Sequence, residues 1–251
     1  MPNGARGQAE AGGTMGFECV SRTDVGLRRK INEDAVLVRT PRGLWAVADG
    51  MGGHEAGEVA SAMVAEALSL LHPVENLENF VEQAVVALGD VNHRLIELAR
   101  SDTGGRTIGS TVVGLAIRGR EYRCFWAGDS RAYRVRAGHI VQLSRDHSLV
   151  QDLVEAGMLR ADEAQHHPQA NVITRAVGVT ERLKIDMAGG DVRPGDLFLI
   201  ASDGLTRVVE DAELAAELSS GPPAEVADRL IATVLARGAP DNVSLIIISV
   251  S

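Results

Sequence analysis

The chain has 251 residues, 45% of them hydrophobic and 24% charged, with a net charge of −9, which is ample material for a large buried core. Its acidic balance, with Arg28-Arg29-Lys30 as the longest basic run, excludes a nucleic-acid binder held by a basic field. No apolar stretch approaches the ~18 residues of a membrane span, and two cysteines in strand-like runs, Cys19 and Cys124, read as reduced core thiols and not as a disulfide framework.

Residues 1–15 are rich in Gly, Ala and polar residues and lack an apolar h-region. They are expected to be a disordered leader, with Met15 as an alternative initiator, and the expected compartment is the cytoplasm. Phe17–Asp24 is strand-like. The apolar runs 35–38 and 44–48 flank Thr40-Pro41-Arg42-Gly43, which predicts a hairpin closed by a type I turn with a following bulge. Counting back from that turn sets Asp34 opposite Gly50 or, with a two-residue loop, opposite Asp49. In either register two acids meet at the open end of one hairpin, a destabilising arrangement unless a cation lies between them.

Helical spacing then predicts helices over 55–71, with His54 at its entry, and over 77–99, ending at Gly104-Gly105. Four short runs (110–117, 122–127, 132–135 and 140–143) read as one antiparallel meander. Residues 146–180 are polar and contain histidines, and read as a loop-rich insertion with one short helix over 148–156. Strands are predicted over 183–187 and Leu197–Ala201, helices over Asp211–Leu218 and Pro223–Ala236, and a closing buried strand over Val243–Val250. With no linker and no repeat, residues 16–251 form one expected α+β domain on antiparallel sheet.

Five aspartates carry the chemical signal: Asp34, Asp49, Asp129, Asp203 and Asp241, four of them at the end of an apolar run. Carboxylates gathered at strand ends repel one another and are costly to desolvate. Hard divalent cations, which prefer oxygen ligands, compensate both effects. The pattern reads as a binuclear magnesium or manganese enzyme.

In chain order the motifs are Arg29-x-x-Asn32-Glu33-Asp34, Asp49-Gly50-Met51-Gly52-Gly53-His54, Gly109-Ser110-Thr111, Ala127-Gly128-Asp129-Ser130-Arg131, Asp146-His147-Ser148, Ile173-Thr174-Arg175-Ala176-Val177-Gly178, Ser202-Asp203-Gly204-Leu205 and Asp241-Asn242-Val243-Ser244. This ordered set resembles the metal-dependent protein phosphatase family (PPM, type 2C), in its bacterial serine/threonine phosphatase branch. The resemblance implies an α-β-β-α sandwich, two antiparallel sheets stacked face to face with helix pairs outside. It implies two Mn2+ or Mg2+ ions bridged by Asp49, with the Gly50 carbonyl on one ion and Asp203 and Asp241 on the other. Asp129, with Asp203, matches the ligands of a third ion. Asp34 would hold metal-bound water, with Glu33 and Asn242 also behind the ligands, and Arg29 would bind the substrate phosphate through its planar fork.

The implied reaction is hydrolysis of phosphoserine and phosphothreonine in proteins by in-line attack of a metal-bridging hydroxide. The implied partners are phosphorylated proteins, a Ser/Thr kinase and its targets, and the enzyme is expected to be a monomer. Two alternatives are a catalytically silent phosphoprotein-binding relative, which predicts lost ligands, and a partner-switching phosphatase acting on an anti-sigma-factor antagonist. Asp49, Asp203 and Asp241 are all present, and no sensor domain is evident. Met51 stands where animal and plant relatives place a proton-donating histidine. Met51 and Met63 read as packing, Trp45 and Trp126 as core, and His147, His166 and His167 as solvent-facing residues of a flap-like insertion.

Overall fold

Both faces of most strands are apolar, so the strands must be covered on two sides, and the chain solves this with four layers. The computed structural model describes residues 15–52, 56–101, 107–164 and 167–251. Residues 1–14 of the expected leader over 1–15, together with Gly53, His54, Gly104-Gly105 and His166, lie outside the described residues.

The order begins β1 (Phe17–Asp24), β2 (Asp34–Arg39), β3 (Leu44–Met51), α1 (Ala56–Ser69) and α2 (Leu77–Ser101). It continues β4 (Gly109–Ser110), β5 (Val112–Arg118), β6 (Glu121–Ala127), β7 (Arg131–Arg136) and β8 (His139–Gln142). After α3 (Leu149–Glu155) and α4 (Ala161–Ala164) come β9 (Asp186–Asp191), β10 (Leu197–Ala201), α5 (Asp203–Thr206), α6 (Asp211–Leu218), α7 (Pro223–Ala236) and β11 (Val243–Val250). One sheet has the order β1-β11-β10-β7-β8; the other has β2-β3-β5-β6-β9, with β4 beside β3. Every pairing is antiparallel.

Period-two alternation sorts the side chains into layers. On β3, Leu44, Ala46 and Ala48 face the cluster made with α1 and α2, while Trp45 and Val47 face the other sheet. On β11, Leu245 and Ile247 pack with α6 and α7, while Ile246, Ile248 and Val250 enter the layer between the sheets. Edge-on aromatic pairs, Phe17 with Trp45 at 5.6 Å and Tyr122 with Phe198 at 5.3 Å, stitch the two sheets together. Each fully buried Leu, Ile or Val there contributes roughly 1.5–3 kcal/mol relative to exposure. The α-β-β-α sandwich is therefore the observed architecture.

Two local expectations are corrected and one is sharpened. The turn at Thr40-Pro41-Arg42-Gly43 is closed by a Gly43 N–H to Thr40 carbonyl bond (2.9 Å) as a single 3-10 turn, the type I geometry, with Gly43 left-handed behind it. Arg39 pairs with Leu44, which fixes Asp34 directly opposite Asp49. The expected meander is split: β5 and β6 belong to one sheet, β7 and β8 to the other. The chain crosses between sheets at Gly128-Asp129-Ser130, where Gly128 has φ 122°, a conformation that L side chains rarely adopt. Alternation alone cannot reveal such a crossing, because both sheets offer an apolar inner face. Finally, the strand expected over 183–187 begins at Asp186 and runs through Gly189-Gly190 as the outer strand beside β6. Leu183 and Ile185 pack instead on the helix-side core.

Cys124 is fully buried and Cys19 half-buried, and desolvation pushes the Cys19 thiol up to about 11 and Cys124 higher still, so both are inert thiols. No described helix is long and apolar enough to cross a membrane.

Candidate metal and phosphate site

One end of the sandwich gathers the acids because strands of both sheets end there. The β2–β3 register sets Asp34 against Asp49. Thr111 fixes the Asp49 backbone on both sides: its hydroxyl accepts from the Asp49 N–H (3.0 Å) and its own N–H donates to the Asp49 carbonyl (2.8 Å). From the other sheet, Ser202 follows β10 and Asp203 opens α5. The Ser202 hydroxyl does not cap that helix; it donates to Asp34 Oδ2 (2.8 Å) and accepts from the Ser244 N–H (2.9 Å). Asn242 clamps the loop that carries Arg29: Oδ1 accepts from the Glu33 N–H (2.8 Å), and Nδ2 donates to the Val25 and Ile31 carbonyls (2.9 and 3.0 Å). A Cβ at Gly204 would overlap the Asn242 carbonyl, so only glycine lets the Asp203 and Asp241 segments lie this close.

Arg29, Glu33, Asp49, Asp203 and Asp241 share a cleft of about 240 Å³ with the Gly50 backbone and Met51. Asp34 and Asn242 lie behind it, and Asp129 is joined to it through Arg207. Thus, among the described residues, the structure gathers Arg29, Glu33, Asp49, Asp203 and Asp241 at one cleft and sets Asp34, Asn242 and Asp129 around it.

The electrostatics are adverse for a bare site. Desolvation, reinforced by Asp203, Asp34, Asp129 and Asp241, holds the Asp49 carboxyl well above the usual carboxylate range. Burial pushes Asp34 up to about 6, against the pull of Ser244 and Ser202. Burial and then Asp203 push Asp129 up to about 7, although Arg207 opposes them. Burial likewise raises Asp203 and Glu33. Two arginines hold part of this charge: Arg29 donates to Asp241 Oδ2 (2.6 Å), while Arg207 pairs with Asp129 Oδ2 (2.7 Å) and Asp203 Oδ2 (2.9 Å).

Among the described residues, no three His, Cys, Asp or Glu side chains stand close enough together to cage an ion as they are. The donor set nevertheless suits a hard cation. Asp34 Oδ1, Asp129 Oδ1, Asp203 Oδ1 and Glu33 Oε1 are all buried without a hydrogen-bond partner, and orphaned carboxylate oxygens of this kind are costly unless a positive charge meets them. Oxygen-only donors favour Mg2+ or Mn2+ over softer metals.

His147 is corrected from solvent-facing to buried, at 3% exposure. Its Nδ1 accepts from the Gly128 N–H (3.1 Å), and its Nε2 lies against Asp186 Oδ2 (3.1 Å) and Arg175 Nη1 (3.0 Å), two groups that also pair with each other. Its ring stacks on Trp126, and desolvation lowers its pKa, keeping it neutral. Next to it, Asp146 accepts a forked pair of bonds from Arg131 (2.9 and 2.7 Å). The Asp146-His147 motif therefore anchors the crossing that presents Asp129. Half-buried His167 carries no contact to the cleft acids.

Residues 146–180 leave the sandwich through α3 and α4 and return by isolated bridges at Ser148–Ile173 and Ser110–Val177. Asn171 and Ile173 line the cleft. Arg207 was not singled out from the sequence. Its signal was there: it stands four residues after Asp203, the spacing of an ion pair along one helical turn.

Comparison with known proteins places this geometry. The sequence profile of the family described as "Protein phosphatase 2C" matches residues 28–236. The serine/threonine protein phosphatase PstP of Mycobacterium tuberculosis is 35% identical over 237 residues, which are 94% of this chain and 46% of that protein, so the chain spans about half of its length. The protein phosphatase PhpP of Streptococcus pneumoniae is 32% identical over 91% of this chain and 96% of its own. Among solved structures, PppA, a key regulatory component of T6SS in Pseudomonas aeruginosa, superposes with a TM-score of 0.86 at 42% identity, covering 94% of this chain and 98% of that one. The catalytic domain of PstP in complex with two manganese ions superposes with a TM-score of 0.84 at 33% identity, covering 94% and 99%.

Proposed function

The chain belongs to the protein phosphatase 2C family, and from that membership we propose that it is a metal-dependent phosphatase of phosphoserine and phosphothreonine in proteins. The observation that carries the reading is the convergence of Asp49, Asp203 and Asp241 on one cleft with Arg29 at its mouth. Two Mn2+ or Mg2+ ions held by Asp49, the Gly50 carbonyl, Asp203 and Asp241, with a third at Asp129, would supply Lewis acidity toward the phosphoryl oxygens and a water activated at neutral pH.

The chain's own residues do the rest. Arg29, half-exposed and tethered among the described residues to Asp241, is free to turn its fork toward two phosphate oxygens once Asp241 is engaged by a cation. Asp34, locked by Ser202, orients water behind the ligands. Thr111, Asn242 and Ser202 hold the ligand-bearing backbone so that little reorganisation remains at the moment of reaction. Met51 lines the cleft and offers no proton, so a water is the natural donor to the leaving alkoxide.

Residues 16–251 act as one unit in this reading, with 146–180 as a flap whose Asn171 and Ile173 meet the phosphoprotein beside the phosphate. The physiological counterpart would be a Ser/Thr kinase and its targets. Hydrolysis of p-nitrophenyl phosphate and of a phosphothreonine peptide, measured with EDTA, Mg2+ or Mn2+, tests the reading. Metal-dependent phosphate release that vanishes in Asp203→Asn is expected. A folded protein with no release under either metal would leave the silent phosphoprotein-binding reading in its place.

A further inference from the structure

We propose that Arg207 is a resident cation at the third-ion position, competing with a divalent cation for Asp129 and Asp203 and tying the occupancy of that position to the segment 167–175; this rests on the metal-site reading above. The Arg207 fork spans the two acids, with Nη2 on Asp129 Oδ2 (2.7 Å) and Nε on Asp203 Oδ2 (2.9 Å). Asp129 is only 3% exposed, and an unpaired charge there would be costly. A guanidinium already present meets that need whenever no ion does.

The same two carboxylates keep Oδ1 buried and unpartnered, so they retain donors for a cation. Two positive centres cannot share them without strong repulsion in a low-dielectric site. An ion arriving at Asp129 and Asp203 therefore drives the guanidinium out, and the Arg207 side chain, 32% exposed, has solvent to move into.

Arg207 has a second set of partners. Its Nη1 donates to Asn171 Oδ1, and its Nη2 reaches the Ala170 carbonyl (3.3 Å). One guanidinium thus joins the acid pair to the segment that covers the cleft. With Arg207 on the acids, residues 170–171 are tethered over the site. With an ion in its place, those tethers are released and the segment gains freedom to admit substrate. Because the coupling is a linkage, it runs both ways: whatever draws residues 170–171 away also favours the third ion.

The test counts Mn2+ bound to the full chain by calorimetric titration, for the wild type, Arg207→Gln, Arg207→Lys and Asp129→Asn, alongside hydrogen exchange of 167–175. Two tighter ions and one weak ion are expected in the wild type. Arg207→Gln tightens the weak ion by about tenfold, within the usual range of coupling between sites, and tightens the first two by less, since of their ligands it touches Asp203 alone. Arg207→Lys, which keeps the charge but loses the fork, tightens it less, and Asp129→Asn abolishes it. Exchange of 167–175 rises as the third ion loads in the wild type, and is high from the start in Arg207→Gln. A third-ion affinity that is unchanged or weaker in both Arg207 variants overturns the proposal while the two-ion reading stands. Absence of any Mn2+ binding to the wild type overturns both.

Discussion

The layer between the sheets and the acidic end of the same sandwich are made by the same strands under opposite rules. In the layer, Trp45, Leu115, Ile200 and Ile246 are fully buried among apolar partners, and each contact supports its neighbours. At the end, Asp34 faces Asp49, Asp203 adds a third like charge, and four carboxylate oxygens are buried with no partner. The comparison teaches where site precision comes from: a rigid apolar frame fixes groups that would separate if left to themselves.

Substitutions at the two places should therefore separate activity from stability. Asp203→Asn is expected to lower turnover by roughly a thousandfold or more, as loss of a key charge-stabilising group does. In chelator it should melt no lower than the wild type, because one of the like charges is gone. Phosphatase assay and calorimetry on the same preparation check both halves. Leu115→Ala should do the reverse, costing about 2–5 kcal/mol in urea unfolding with kcat retained well below the melting point. If Leu115→Ala abolished turnover in fully folded protein, the frame and the site would not be separable. Arg29→Ala should raise KM for a phosphopeptide by about tenfold with kcat little changed, the pattern of lost uniform binding; steady-state kinetics showing an unchanged KM would remove Arg29 from the phosphate.

The smallest expected effect is on pH dependence. Asp34 and Asp129 have folded values raised to about 6 and about 7 from 3.8. Their contribution to stability is fully present below that unfolded value and is lost as pH rises through 6 and 7. His147, lowered from 6.5, runs the other way, its contribution present above that value and lost as pH falls through its folded value. With Asp49, Asp203 and Glu33 raised as well, five carboxyls stand against one histidine, and the melting point of EDTA-treated protein should fall by a few degrees between about pH 4 and 7. Saturating Mn2+ should flatten or reverse that slope, because the cation replaces the protons.

Much of this was legible in the sequence for physical reasons. The acids sit where apolar alternation stops, and the turn over Thr40–Arg42 allowed the Asp34–Asp49 pairing to be counted. Less visible were features that depend on which sheet a strand joins. The crossing at Gly128 splits what reads as one meander, and it also creates the buried pocket for His147. A lone histidine in a polar stretch gives no sign that a backbone N–H 19 residues earlier needs an acceptor. Arg207 was missed because its role arises only once Asp129, from a different sheet connection, lies beside Asp203.

The most direct test of the central claim, that this acidic end is built to be completed by divalent cations, is calorimetric titration of Mn2+ into the wild type and Asp49→Asn, with the melting point followed in parallel. The wild type should bind at least two ions and gain stability as they load, whereas Asp49→Asn should lose tight binding and show no thermal response to Mn2+. A wild type indifferent to Mn2+, or an Asp49→Asn protein that binds and stabilises as the wild type does, would contradict the account.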